Sequence, residues 1–232
     1  KSHTNWIYKF IFFIESFFLK LEEQKIIKNA HKVTLISQRD RNYLKNENVE
    51  IISPELRYAN KSYFNPKSKR IVFIANFHSE INSESLKKLV SSLNDSFEYQ
   101  IVLHGFGSKK ISRIIKHSKV VSGGPIENIK GNFLAGICPT VTSGGIQNKI
   151  LDYIYLGIPV IASLNSLEGL PDYIKDFIEE ENPNKLLSSQ LNKLSNLDEI
   201  ELKESLIKLN KNMKKDNQIN INKLDKIILE IC

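Results

Sequence analysis

The sequence predicts an α/β protein with a parallel sheet flanked by helices, and three observations carry that expectation. Short runs that are apolar at nearly every position recur from Arg70 onward, as strands buried on both faces must be. Helical patterns separate them, as in "SESLKKLVSSL" (83–93) and "SKKISRIIKHS" (108–118), so strand and helix alternate in the order that generates parallel pairing. Glycine-bearing loops follow the strands, at the end of such sheets where ligands collect.

With 232 residues the chain exceeds a usual domain of about 100–150, which implies one full domain plus part of another. Its net charge of +7 is carried by lysine in a background rich in Ile, Asn and Lys. That balance suits nucleotide phosphates or an anionic membrane surface. No interleaved basic and aromatic motif accompanies it, so nucleic acid is not an expected partner. Cys138 and Cys232 stand far apart, which fits neither a disulfide framework nor a metal cluster and points to a reducing, cytoplasmic compartment. The chain opens on Lys1 and its only methionine is Met213, as expected of a piece of a longer protein.

The first segment, "WIYKFIFFIESFFLKLEEQKIIKNA" (6–30), sets Ile7, Ile11, Ile14, Phe18 and Leu21 at helical spacing beside a stripe of Trp6, Phe10, Phe13 and Phe17. Lys9 and Glu15 interrupt it, and a membrane span needs about 20 mainly apolar residues. Its wide apolar face is expected to pack on protein, some of it absent from this chain, or to lie at the inner membrane face through residues 6–21. Strands are expected at "KVTLIS" (32–37), "VEIIS" (49–53), "RIVFIAN" (70–76), "YQIVLHG" (99–105), "KVVSGG" (119–124), "GICPT" (136–140) and "PVIAS" (159–163). "YANKSYFNPKSK" (58–69) lacks periodicity and reads as a linker.

The glycine loops are "ANFHSEIN" (75–82), "HGFGS" (104–108), "SGGP" (122–125) and "TSGGIQNK" (142–149). The last is the most informative. Gly144 and Gly145 free backbone N–H groups at a helix start, where the helix dipole favours an anion, and Lys149 adds a full charge one turn inside. Asn148 brings an amide that donates or accepts. Asp152 follows Lys149 by three residues, a spacing that leaves open an ion pair or a carboxylate that accepts bonds from ribose hydroxyls. Gly157-Ile-Pro159 ends the helix.

"GGIQNKILDYIYLGIPVIAS" followed by "LEGLPD" (167–172) resembles the nucleotide-sugar-binding signature of GT-B glycosyltransferases of family 4, in the branch with G-x-x-N-K-x-L-E before an A-x-G-x-P-V-I-A-S strand. "AHKVTLISQRDRNYL" looks like the last strand and helix of that family's amino-terminal domain, and "SYFNP" like the entry to its second. "IVFIANFHSEIN" resembles its first strand with the G-N-F-x-x-x-x-N turn, so the likeness runs from about Ala30 to Asp172. The fold it implies is a GT-B carboxyl-terminal Rossmann-like domain with a remnant of the amino-terminal domain. Residues 1–67 would be the end of the acceptor domain and linker, and 68–232 the nucleotide-sugar-binding domain with terminal helices.

The same resemblance implies phosphate contacts at Gly144, Gly145, Ile146 and Lys149, nucleobase contacts at Gly123, Gly124 and Pro125, and a ribose contact at Asp152 in place of the family's glutamate, with Asn148 also in the donor site. Asn76, Gly105 and Gly107 complete the expected donor pocket, and His78 and His104 are candidate donor or acceptor contacts. The chain departs from the family at Gly144, which stands where many members have a first glutamate, and at Ala75, which replaces the glycine before Asn76. The implied reaction is sugar transfer from a nucleotide diphosphate sugar to a glycan or lipid-linked acceptor in surface polysaccharide synthesis, hexosyltransferase-like, without metal or cofactor. No catalytic base can be assigned, and the isolated fragment is expected to be inactive. A noncatalytic GT-B-like scaffold and a sugar-nucleotide epimerase remain alternatives. The carboxyl-terminal tail is helical in pattern, and Ile207, Leu209, Leu224, Ile227 and Ile228 are expected to be buried by its packing.

Overall fold

A computed structural model describes residues 6–44, 49–53, 55, 57, 62–140, 146–181 and 187–231. The chain divides into two units, Lys1–Pro54 with Ile219–Cys232, and Glu55–Gln218.

In the first unit, α1 (Trp6–Asn29) leads to β1 (Val33–Leu35), α2 (Gln38–Leu44) and β2 (Val49–Ile51), and the two strands pair in parallel. Ser37 starts α2: its hydroxyl donates to Asp40 Oδ2 at 2.7 Å and accepts from the Asp40 N–H at 3.2 Å, which satisfies an N-terminal backbone donor. Helix α1 buries Ile27 but leaves Trp6, Phe10, Phe13 and Phe17 exposed. Tyr8, Phe12 and Leu19, outside both expected stripes, are exposed too, so its apolar surface is wider than the periodicity indicated. The Ile7 side chain lies outside the described ones. Among the described residues no helix is long and apolar enough to cross a membrane.

The second unit holds β3 (Arg70–Ile74), α3 (Glu80–Ser91), β4 (Gln100–His104), α4 (Ser108–Ile115), β5 (Val120–Gly124), β6 (Ala135–Cys138), α5 (Asn148–Tyr155), β7 (Val160–Ser163), α6 (Asp172–Lys175), β8 (Ile178–Glu181) and α7 (Leu187–Ser195). Helix α8 (Glu199–Ile231) begins there and ends in the first unit. The sheet has six parallel strands in the order β5-β4-β3-β6-β7-β8, so the direction of winding reverses between β3 and β6. Ile71, Val72 and Phe73 of β3 are fully buried, as are Ile101 and Leu103 of β4 and Val160 of β7, consistent with a sheet covered on both faces. Strand β8 was not expected from the sequence: three of its four residues are glutamate, and it sits at the sheet edge.

On α8 one stripe is buried, Leu202, Leu206, Leu209 and Met213 in the second unit and Ile227 in the first. Leu209 and Ile227 match expectation. Ile207, Leu224 and Ile228 are exposed instead, because the buried positions recur every three or four residues and these three fall beside that stripe.

Where β3 and β6 stop pairing, after Val72↔Gly136, a side chain takes over. Tyr153 of α5 is buried, its hydroxyl accepting from the Ile74 N–H at 2.8 Å and donating to the Ile137 carbonyl at 2.9 Å. Its ring lies against Gly136, where a Cβ would fall 2.4 Å from Tyr153 Cγ. Gly136→Ala therefore forces the pinned ring or strand β6 to move, and it should cost about 1–3 kcal/mol in denaturant unfolding. An unchanged midpoint would show that the ring yields freely.

Candidate functional site

In a doubly wound sheet the crevice outside the carboxyl ends of the strands opens at the point of reversal, here between β3 and β6. Three segments meet there: the loop after β3, the start of α3 and the first turn of α5. Lys149 Nζ donates to Asn82 Oδ1 at 2.8 Å and lies 5.3 Å above the Phe73 ring. Asn82 Nδ2 donates to the Asn76 carbonyl at 3.0 Å, and Asn76 Oδ1 accepts from the His78 N–H at 3.0 Å. The asparagine amide is thus oriented from both ends and aims its oxygen at the lysine.

Burial lowers the Lys149 pKa from the ordinary lysine value. Among the described residues its one hydrogen-bond partner, Asn82, is neutral, and no carboxylate there compensates the ammonium. A partly desolvated cation in a loop-lined crevice is suited to an incoming anion. Asp152, one turn on, does not pair with it; among the described residues the charged group that acts on the carboxylate is Arg57. The protein around Asp152 pushes its pKa up, with Arg57 drawing it back, although the side chain still opens to solvent.

Gly144 and Gly145 lie outside the described residues. Ile146 is half-buried against the core, and Asn148 is exposed at the start of α5. Gly105 has φ +118°, and a Cβ there would lie 2.2 Å from the Ala75 carbonyl oxygen; its N–H donates to Gly124 O at 2.9 Å. It therefore lets the ends of β3, β4 and β5 close on one another. Gly107, at φ +77°, opens α4 beside His78. Gly124 faces open space and Pro125 is exposed, so this loop presents a free surface. His78 is exposed on its loop. His104 is only 2% exposed and lies behind the Gly123–Pro125 loop, its Nδ1 3.2 Å from the Pro125 carbonyl.

Asn82 and Tyr153 were not singled out by sequence. The signal for Asn82 was present: "NFHSEIN" places a second asparagine where the first turn of the helix after β3 begins. Tyr153 had only an apolar helical position to mark it. Among the described residues, no group of three or more His, Cys, Asp or Glu could hold a metal ion.

No protein-family profile matches the chain, and no curated protein is similar to it in sequence. Solved structures do share its fold. A mutant of S. aureus TarM, in complex with fondaparinux, alpha-GlcNAc-glycerol and UDP, matches with a TM-score of 0.63 at 16% identity, over 88% of this chain and 45% of that one. HepE from Anabaena in complex with UDP-glucose matches at 0.59 and 12% identity, over 87% and 65%. Sucrose-phosphate synthase from Thermosynechococcus elongatus matches at 0.58 and 16%, over 90% and 61%. The chain thus spans about half to two thirds of the length of these proteins. Its six-stranded parallel sheet with flanking helices matches the Rossmann-like domain of such GT-B glycosyltransferases.

Proposed function

We propose that this chain is the donor-binding half of a family 4 glycosyltransferase of the G-x-x-N-K branch, which moves a sugar from a nucleotide diphosphate sugar to a glycan or lipid-linked acceptor in surface polysaccharide synthesis at the cytoplasmic side. The observation that carries this reading is Lys149, held by Asn82 at the reversal point of the sheet with no anionic partner among the described residues. UDP and UDP-glucose in the complexes of two proteins of the same fold support it. Residues 1–67 would belong to the acceptor domain and linker, and 68–232 to the donor domain.

In this reading Lys149 meets the diphosphate together with the backbone of Gly144, Gly145 and Ile146 and the amide of Asn148. As the glycosidic bond to the diphosphate breaks, negative charge grows on the leaving oxygens, and a fixed ammonium at a helix start stabilises that charge without reorganising. Asn76, Gly105 and Gly107 shape the pocket, the Gly123–Pro125 loop takes the nucleobase and Asp152 accepts from ribose hydroxyls. His78 reaches the sugar or the acceptor from the loop after β3.

Calorimetry on the chain with UDP, GDP and pyrophosphate tests the assignment. Asp152→Asn should weaken the nucleoside diphosphates by roughly 1–2 kcal/mol and spare pyrophosphate, because it touches only the ribose. An equal loss for pyrophosphate would contradict that role. Product analysis with radiolabelled nucleotide sugars, using this domain together with an acceptor domain, then separates the chemistries. Transferred sugar supports the transferase, an isomerised sugar nucleotide an epimerase, and neither a scaffold.

A further inference from the structure

The Gly123–Pro125 loop is moulded on a buried imidazole. His104 ends β4, and the pairing of β4 with β5 shifts register between Leu103 and His104, so that His104 stands opposite Gly124. Its ring meets Phe133 edge to face, with centroids 6.4 Å apart and planes at 90°, which fixes the ring plane. The Nδ1 atom faces the Pro125 carbonyl at 3.2 Å and must carry the proton, since a carbonyl only accepts. On the opposite side there is no spare room: a Cβ on Gly123 would lie 2.3 Å from His104 Nε2, and its three nearest atoms would all belong to the ring. Burial lowers the pKa of the imidazole, against backbone hydrogen bonds to Pro125 and Gly124 that raise it, and so favours the neutral form.

From this geometry we infer that His104 is a positioning residue: it holds the Pro125 carbonyl, and against it the glycine pair, so that the open face of Gly124 is preset for a planar ligand group. The inference rests on the donor-site reading and deepens it, assigning recognition of the nucleobase to a loop whose shape is set from behind. His104 presents almost no surface, so it acts through the loop and touches no ligand. Gly123 is then fixed by the histidine rather than by backbone conformation, whereas Gly124, at φ +86°, is fixed by its own dihedral.

The test uses calorimetry with UDP, GDP and pyrophosphate on the whole chain. His104→Leu, which keeps bulk but not the donor, should weaken UDP and GDP about tenfold and leave pyrophosphate unchanged. His104→Asn, whose amide nitrogen can occupy the place of Nδ1, should restore most of that loss. Gly123→Ala should weaken nucleotide binding in the wild-type background and have little further effect in His104→Ala, where the ring that its methyl group would strike is gone. Unaltered UDP binding in the leucine variant, no rescue by asparagine, or an equal loss of pyrophosphate each overturns the positioning role. If the wild-type chain binds none of the three ligands, the donor-site reading falls and takes this inference with it. The variants alone therefore test the histidine, and the wild type tests the site.

Discussion

Lys149→Met is expected to weaken UDP, GDP and pyrophosphate alike, by roughly 1.5–3 kcal/mol, the range for losing a hydrogen bond to a charged group. Methionine keeps most of the length of the side chain and removes the ammonium, with its contact to the Phe73 ring and its hydrogen bond to Asn82. The fold should respond in the opposite direction. Burial depresses the pKa of Lys149 in the folded state, so its contribution to stability is fully present only above the ordinary lysine value and is lost as pH falls through the folded pKa. At neutral pH the wild type therefore carries the cost of a desolvated ammonium, and the variant should be the more stable protein. That advantage should shrink as alkaline pH discharges the wild-type lysine. Calorimetry and thermal unfolding across pH measure both halves. A variant that binds pyrophosphate as tightly as wild type would remove Lys149 from the site.

Tyr153→Phe should be the most damaging single-atom change in the sheet. The hydroxyl serves the Ile74 N–H and the Ile137 carbonyl on two strands that have ceased to pair with each other. Removing it leaves two buried backbone groups without partners, at about 1–3 kcal/mol each before relaxation, and a loss of roughly 2–4 kcal/mol in chemical denaturation is expected. Because Tyr153 belongs to the same helix as Lys149, nucleotide affinity should fall as well, by less than the stability does. A loss under about 0.5 kcal/mol would mean that the strands or a water molecule replace the hydroxyl.

How far the sequence revealed this arrangement depended on what each residue had to do. Strands β3, β4 and β7 were legible because burial on both faces leaves an uninterrupted apolar run, and the apolar helical pattern after Gln147 announced α5. The pairing of Lys149 with Asn82 was not legible. It joins residues 67 positions apart, and the local alternative, an ion pair with Asp152, had the better spacing. His104 read more readily as a loop or packing residue than as a contact, and its depth behind the loop is what separates the two. On α8 the heptad-like mixture of Ile and Leu offered neighbouring stripes, and the choice between them is made by the partner surface rather than by the helix. Tyr153 was hidden by its own chemistry: a tyrosine in an apolar helical pattern looks like core until the strands it bridges are seen to diverge.

Strand β8 was invisible for a different reason, and its glutamates have a use. A parallel sheet ends in a strand with unpaired backbone groups, which is a template on which a second chain can add and start an aggregate. Here that strand is four residues long and mostly acidic, so an incoming copy would bring carboxylates against carboxylates. Helix α7 closes more of the edge: the buried Gln190 donates through Nε2 to the Glu180 carbonyl, and Lys193 pairs with Glu179 at 2.5 Å. The edge is thereby protected against runaway assembly twice over, by charge and by a cap on its backbone, and the cost is a strand whose own residues scarcely favour being one.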